Sequence, residues 1–117
     1  MSEIYTPDNL IAGDYPLVTG EAVIESGQNL SRGSLLGKVT ASGKFKLCDS
    51  AAADGSENPQ GILAEDIDAS AADQVSVYYL AGEFNEAFIT FGGSDDADTH
   101  RAALRDLNIY FKSAVSA

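Results

Sequence analysis

The sequence is short of several residue types on which common functions depend. It has no tryptophan, one cysteine and one histidine, and its seven Lys and Arg face eighteen Asp and Glu, a formal net charge of −11. Affinity for nucleic acid comes mainly from neutralising phosphates, so this charge argues against a nucleic-acid partner, and likewise against an anionic membrane surface. One cysteine and one histidine cannot build a zinc site. Cys48 cannot form an intramolecular disulfide, and we predict that it is a small buried hydrophobe.

Long apolar runs are also missing. None approaches the length of a membrane-spanning helix, and the first residues, MSEIYTPDNL, lack the basic start and apolar centre of a signal peptide. We therefore expect synthesis in a cytoplasm. With 117 residues and 44% hydrophobic residues, the chain has enough apolar surface for one packed domain. Eleven glycines and few helical runs predict a mainly β fold with many turns.

The central half of the chain carries the strand signals. Residues 35–40 and 44–48 flank a loop with a glycine, a pattern typical of a β-hairpin. Residues 58–91 read as the spine of the domain: a short apolar strand, GILA, an acidic loop over 65–73, and a longer strand with Val75 and Val77 on alternate residues. The spacing of Phe84, Phe88 and Phe91 suits a helical turn or an irregular buried segment.

Near the C-terminus the sequence predicts one short helix. Residues 92–98, GGSDDAD, hold no lysine and three carboxylates, which argues against a phosphate-binding loop and favours a cap for the helix that follows. We expect that helix over about residues 99–107, with Ala103, Leu104 and Leu107 on its inner face. Asn108 is a plausible left-handed end, and residues 109–111 read as a closing strand.

The first nineteen residues form a region of their own, a predicted extended arm before a domain over residues 20–117. Pro7 and Pro16 favour extended backbone before them. A frayed terminus is the ordinary interpretation of such a segment. The arm is too rich in apolar side chains to be only a solvated tail, and it could reach about 60 Å. Its candidate binding residues are Ile4, Tyr5, Leu10, Ile11 and Tyr15.

Little in the sequence suggests catalysis. His100 is expected on an exposed helical turn beside three acids, and no GxSxG turn presents a serine. Residues 66–73 resemble the front of a calcium loop, but Ala71 stands where the glycine is needed and Val77 where the bidentate acid is needed. We therefore predict a protein that is not an enzyme and that needs no metal or cofactor.

Adjacent tyrosines leave a second function open. Tyr78 and Tyr79 should face opposite sides of a strand, and either of them, or Tyr110, could stack on a sugar ring. A small surface carbohydrate-binding or adhesion module is therefore the alternative to the function suggested by the motifs below.

Five motifs in order resemble one family across most of the chain. They are YTPDNLIAGD at 5–14, GQNLSRG at 27–33 with LLG at 35–37, PQGILA at 59–64, GEF at 82–84 and ALRDLNIYF at 103–111. This set resembles the lambda-type bacteriophage head decoration proteins. Asn108 stands where such relatives often carry glycine, and asparagine also tolerates the left-handed conformation.

The resemblance implies a small β-clip-like (β-tulip-like) domain preceded by an arm that binds the phage major capsid protein. It also implies homotrimers on the outside of the expanded head, at three-fold positions, which stabilise the shell against the pressure of packaged DNA. The protein would then reside in the virion after synthesis in the host cytoplasm. The acidic charge suits the outside of a DNA-filled shell, and an arm with apolar anchors and two prolines suits strand addition to a partner.

Overall fold

A computed structural model of the protein describes residues 18–112. The fold is mainly β with one short helix near the C-terminus, as predicted. A 3₁₀ turn spans Glu86–Phe88 and α1 spans Ala97–Arg105. The strands are β1 (Val18–Ile24), β2 (Gln28–Leu30), β3 (Leu35–Lys38), β4 (Phe45–Leu47), β5 (Pro59–Leu63), β6 (Ile67–Ala69), β7 (Gln74–Asn85) and β8 (Ile109–Lys112).

Five strands close into a small barrel in the order β1-β4-β3-β5-β7, with β7 pairing back onto β1. The predicted hairpin is confirmed as β3 and β4. β7 is the longest strand: its first half pairs with β1 and β5, and its last residues pair in parallel with β8. β2 and β6 form a separate two-stranded ribbon, so the acidic loop contains a short strand.

Neighbouring residues of the barrel wall alternate between two hydrophobic cores, as the pleat of a strand requires. Leu36 and Leu63 belong to an inner core made of strand residues, with Ala22, Ile24, Leu30, Phe45 and Ala69. Leu35 and Ile62 belong to an outer core, which also contains Cys48, Phe84, Ile89, Leu104 and Ile109. Since Leu104 lies on α1, the outer core lies between the barrel wall and the helix. Cys48 is fully buried, as predicted.

Gly61, the first residue of the GILA motif, has no room for a side chain. An added Cβ would lie 2.4 Å from the Tyr78 ring and 2.5 Å from the Tyr79 carbonyl oxygen, distances that real contacts do not reach. The glycine therefore lets β5 approach β7 closely.

The helix caps follow the sequence prediction, and Leu104 and Leu107 pack on the core as expected, but Ala103 does not. Asp96 accepts a hydrogen bond from the Thr99 backbone N–H in a capping box, and Asn108 has a φ of 66° at the left-handed end. Ala103, expected on the inner face, is exposed. His100 takes that place with Leu104, one turn apart, because its ring stacks on Phe91 and its Nε2 bonds to Asp95.

Two apolar side chains of β7 and the 3₁₀ turn are exposed. Val75 is 62% exposed, so its alternation with Val77 does not bring it into a core. Phe88 is 45% exposed at the end of the 3₁₀ turn, whereas Phe84 is fully buried. The helical turn predicted for this segment is present, but none of its three residues is buried.

Candidate functional site

The five predicted binding residues, Ile4, Tyr5, Leu10, Ile11 and Tyr15, lie outside the described residues, so their role stays a prediction. The structure describes where this segment joins the domain. β1 begins at Val18, so Val18 and Thr19, assigned to the arm from sequence, belong to a strand paired with β7. The chain preceding Val18 therefore leads directly into the barrel wall.

One face of the β1–β7 pair is left uncovered by the rest of the described chain. The cross-strand pairs on it are Glu21 with Val77 and Val23 with Val75, and Thr19 lies at its end, opposite Tyr79, which packs on the outer core. Val23 is 37% exposed, and Val75 is the most exposed large hydrophobic side chain among residues 18–112. By contrast, the side chains of Ala22 and Ile24 point to the opposite face, towards the inner core. We call residues Thr19, Glu21, Val23, Val75 and Val77 the outer face of β1–β7.

The acidic loop is tied to the domain rather than only solvated. Asp66 accepts a hydrogen bond from the Arg32 backbone N–H at 2.7 Å, and Asp73 accepts one from the Ser26 N–H at 2.8 Å. The Lys44 ammonium, 2.7 Å from Asp73, holds the pKa of that carboxyl below its ordinary value. These carboxylates cap turns, and within residues 18–112 no three potential metal ligands converge on a point.

His100 is not exposed, contrary to the sequence prediction, and its surroundings do not form a catalytic triad. It is 3% exposed, and its Nε2 lies 2.8 Å from Oδ2 of Asp95, whose side chain is 4% exposed. Cys48 Sγ approaches the same nitrogen at 3.9 Å. In a catalytic triad, the histidine accepts the nucleophile's proton on one ring nitrogen and binds the orienting carboxylate through the other. Here the Cys48 thiol and the Asp95 carboxylate both approach Nε2.

The thiol in this cluster is also inactive as a nucleophile. Burial, followed by the nearby charges of Asp95, Asp49 and Glu57, raises the pKa of Cys48 to about 12. Thiol reactivity depends on the thiolate, which is absent at neutral pH at such a value.

Asp95 ties α1 to the loop after β4. Ser50 donates to it from both its backbone N–H and its hydroxyl, and burial alone would raise the Asp95 pKa. The hydrogen bonds from Ser50 and His100 outweigh burial, so the pKa is below its ordinary value. Sequence reasoning missed this cluster, because Ser50 and His100 are fifty residues apart and share no local motif.

The two adjacent tyrosines point to opposite sides of β7, as predicted, and each is half-buried against a different core. Tyr78 packs on Phe45 with ring centroids 5.0 Å apart, and Tyr79 packs on Phe84 at 5.3 Å. Arg32 donates to the Tyr79 hydroxyl at 2.9 Å. The two rings therefore do not form one exposed platform for a sugar.

An open cleft of about 480 Å³ lies between the 3₁₀ turn and α1. Its walls include Phe91 and Ala97, and Arg101 crosses it. The Arg101 guanidinium binds Glu86 and Asp98, each at 2.9 Å, so its charge is already neutralised. The cleft offers no free cationic group to an anionic ligand.

The longest helix of residues 18–112 has nine residues, too few to cross a membrane.

Comparison with protein families decides the assignment. The profile described as bacteriophage lambda head decoration protein D matches residues 2–110. The chain belongs to this family. A search of curated proteins finds no match. The match spans both the segment before Val18 and the barrel, and it confirms the family resemblance found in the sequence motifs. Head decoration proteins are structural components of the phage capsid, which assigns the chain to the virion and to association with a capsid.

Proposed function

We propose that this protein binds the outer surface of the expanded phage head as homotrimers at three-fold positions, and that it stabilises the shell against packaged DNA without catalysing a reaction. The family match over residues 2–110 carries this proposal. Its net charge of −11 suits the outside of the shell, where the protein need not approach DNA.

Residues 1–17 are the proposed capsid-binding arm, with Ile4, Tyr5, Leu10, Ile11 and Tyr15 contacting the major capsid protein. Ordering such a segment costs about 1 to 2 kcal/mol per residue in backbone entropy. Three arms on one trimer offset part of that cost, because each later arm binds intramolecularly. The barrel supplies the subunit contacts and a rigid base for the arms.

Deletion of residues 1–17 tests the arm. The truncated protein keeps β1 complete and should fold, but it should bind expanded heads that lack the decoration protein far more weakly than the full chain. A full chain with Asp106→Lys, a change at an exposed residue at the end of α1, serves as the control. Equal binding by the truncated and full chains would reject the arm.

The trimer is tested separately by sedimentation in solution and on the head. At −11 per chain, three copies repel one another, so added salt should favour assembly. Image reconstruction of decorated heads should show three copies around each three-fold position. Single copies there would contradict the proposed assembly.

A further inference from the structure

The cleft between the 3₁₀ turn and α1 combines apolar walls with a net negative charge. Phe91 lies in its wall together with Ala87 and Ala97, and the Phe91 ring stacks on the buried His100 ring. The charged residues of the cleft are three acids and one base, Glu86, Asp96, Asp98 and Arg101, a net charge of −2. A cleft of about 480 Å³ with this lining fits a side chain that is apolar along its length and positively charged at its end.

Two carboxylate oxygens of the cleft are available to such a charge. Arg101 binds Oε1 of Glu86 through Nη1, and it binds Oδ1 of Asp98 through Nε and Nη2. No hydrogen bond from residues 18–112 reaches Oε2 of Glu86 or Oδ2 of Asp98. The Asp98 side chain is also 86% exposed. A cation that enters the cleft therefore finds acceptors without displacing Arg101.

The β3–β4 hairpin carries the complementary charge. Three of the seven basic residues of the chain belong to it, Lys38, Lys44 and Lys46. Lys44 is paired with Asp73, and Lys46 is paired with Asp54. Lys38 is exposed and makes no ion pair within residues 18–112, and its ammonium lies 5.9 Å from the centroid of the Phe45 ring. Lys38 is therefore the lysine of the hairpin that is available to a partner.

A second copy of this chain is the partner that these charges favour. Lys38 does not line the cleft of its own chain, and Arg105, another exposed basic residue, lies on the helix that forms the cleft. Two different and complementary surfaces on one chain make a heterologous contact, which closes into a ring when it is repeated around a rotation axis. Such a contact brings opposite charges together although each copy carries −11. Phe88, which follows Ala87 and is 45% exposed, adds apolar area beside the cleft.

We propose that the Lys38 ammonium of one copy enters the cleft of the next copy between Glu86 and Asp98, and that three such contacts join the homotrimer. The methylene groups of the lysine then lie against Phe91, and its charge meets the two carboxylate oxygens that Arg101 leaves unused. This inference rests on the proposed function, and it names the contact between subunits.

Charge reversal in the full chain tests the contact by sedimentation. Lys38→Glu sets a carboxylate against Glu86 and Asp98, and Asp98→Lys sets an ammonium against Lys38. Each variant should raise the protein concentration needed for half-assembly by roughly tenfold or more, because like charges then meet in all three contacts. The loss should shrink at about 1 M salt, where the screening length is about 3 Å. Both side chains are exposed, so the melting temperature of the monomer should change little.

Two double variants separate a specific pair from an effect of net charge. Lys38→Glu with Asp98→Lys has the net charge of the wild type and should restore trimers, because the ion pair forms again with its signs exchanged. Lys38→Glu with Asp106→Lys has the same net charge, but its new lysine lies at the other end of α1 and should not restore them. Equal assembly of the two double variants would overturn the proposal.

The outcomes separate this contact from the function on which it rests. If the unaltered protein is monomeric in solution, the same variants are compared by their occupancy of three-fold positions on expanded heads. Absence of wild-type trimers in both settings rejects the homotrimer itself. Wild-type trimers that persist in Lys38→Glu reject the contact while the decoration function stands. If Asp98→Lys keeps its trimers but loses binding to heads, the cleft serves the capsid protein, and the proposal is overturned as well.

Discussion

The two halves of the barrel exterior differ in what covers them. Over β3 and β5, the wall is closed by α1, and side chains such as Leu35, Ile62 and Leu104 are fully buried. Over β1 and β7, no described element covers the wall, and Val75 and Val23 are exposed. Both halves carry β-branched or aliphatic residues, so hydrophobicity alone does not distinguish them. The difference is that α1 covers one half, whereas no element of residues 18–112 covers Val23 and Val75 in the other.

Leu104→Ala should produce the largest loss of stability in the covered half. The side chain is fully buried on α1, and its removal leaves a cavity between the helix and the wall. We expect a loss of about 2–5 kcal/mol in the free energy of unfolding, measured by denaturant titration. Ala103→Ser, on the exposed side of the same helix, should change it by less than about 0.5 kcal/mol. Similar losses for both would show that α1 does not seal the wall.

Gly61→Ala should be nearly as damaging, since the added methyl meets the Tyr78 ring and the Tyr79 carbonyl in the strand beside it. We expect a loss of about 1–3 kcal/mol by thermal or urea unfolding. Gly43→Ala is the control without a steric clash, because the added Cβ would meet only the Lys38 side chain, at 3.8 Å. Any loss of stability in that variant comes from the positive φ of 75° at this position. A neutral Gly61→Ala would mean that β5 and β7 can separate without cost.

Much of this arrangement could be predicted from the sequence, and the rest depended on contacts between distant residues. The β3–β4 hairpin, the cap at Asp96 and the left-handed Asn108 follow from local turn and cap chemistry. The burial of His100 does not, because it depends on Asp95 and Ser50 meeting across two loops. The alternation of apolar and polar residues along β7 also could not predict that Val75 is exposed. Such a pattern assigns residues to the two faces of a strand, but it does not say which other element covers each face.

Asp95→Asn should weaken the link between α1 and the loop after β4. The pKa of Asp95 is lower in the folded protein than its ordinary value, so the carboxylate contributes stability above its unfolded pKa, about 3.9, and this contribution is lost as pH falls through the folded pKa. We expect a loss of about 1–2 kcal/mol at pH 7, decreasing below about pH 4. A stability difference that stayed constant down to pH 2 would contradict the role of the charge. Asp106→Asn, on an exposed carboxyl, is the control.

The smallest expected effect is the sharpest test of the comparison. Val75→Ala removes two methyl groups from the uncovered face and should change the free energy of unfolding by less than about 0.5 kcal/mol. Ile24→Val removes one methyl from a fully buried residue of the paired strand and should cost about 0.5–1.5 kcal/mol. The smaller deletion should therefore cost more, because stability depends on what the side chain packs against. If Val75→Ala lowers the free energy of unfolding more than Ile24→Val does in the isolated protein, then Val75 is covered in solution. The contrast between the two halves of the barrel would then be wrong.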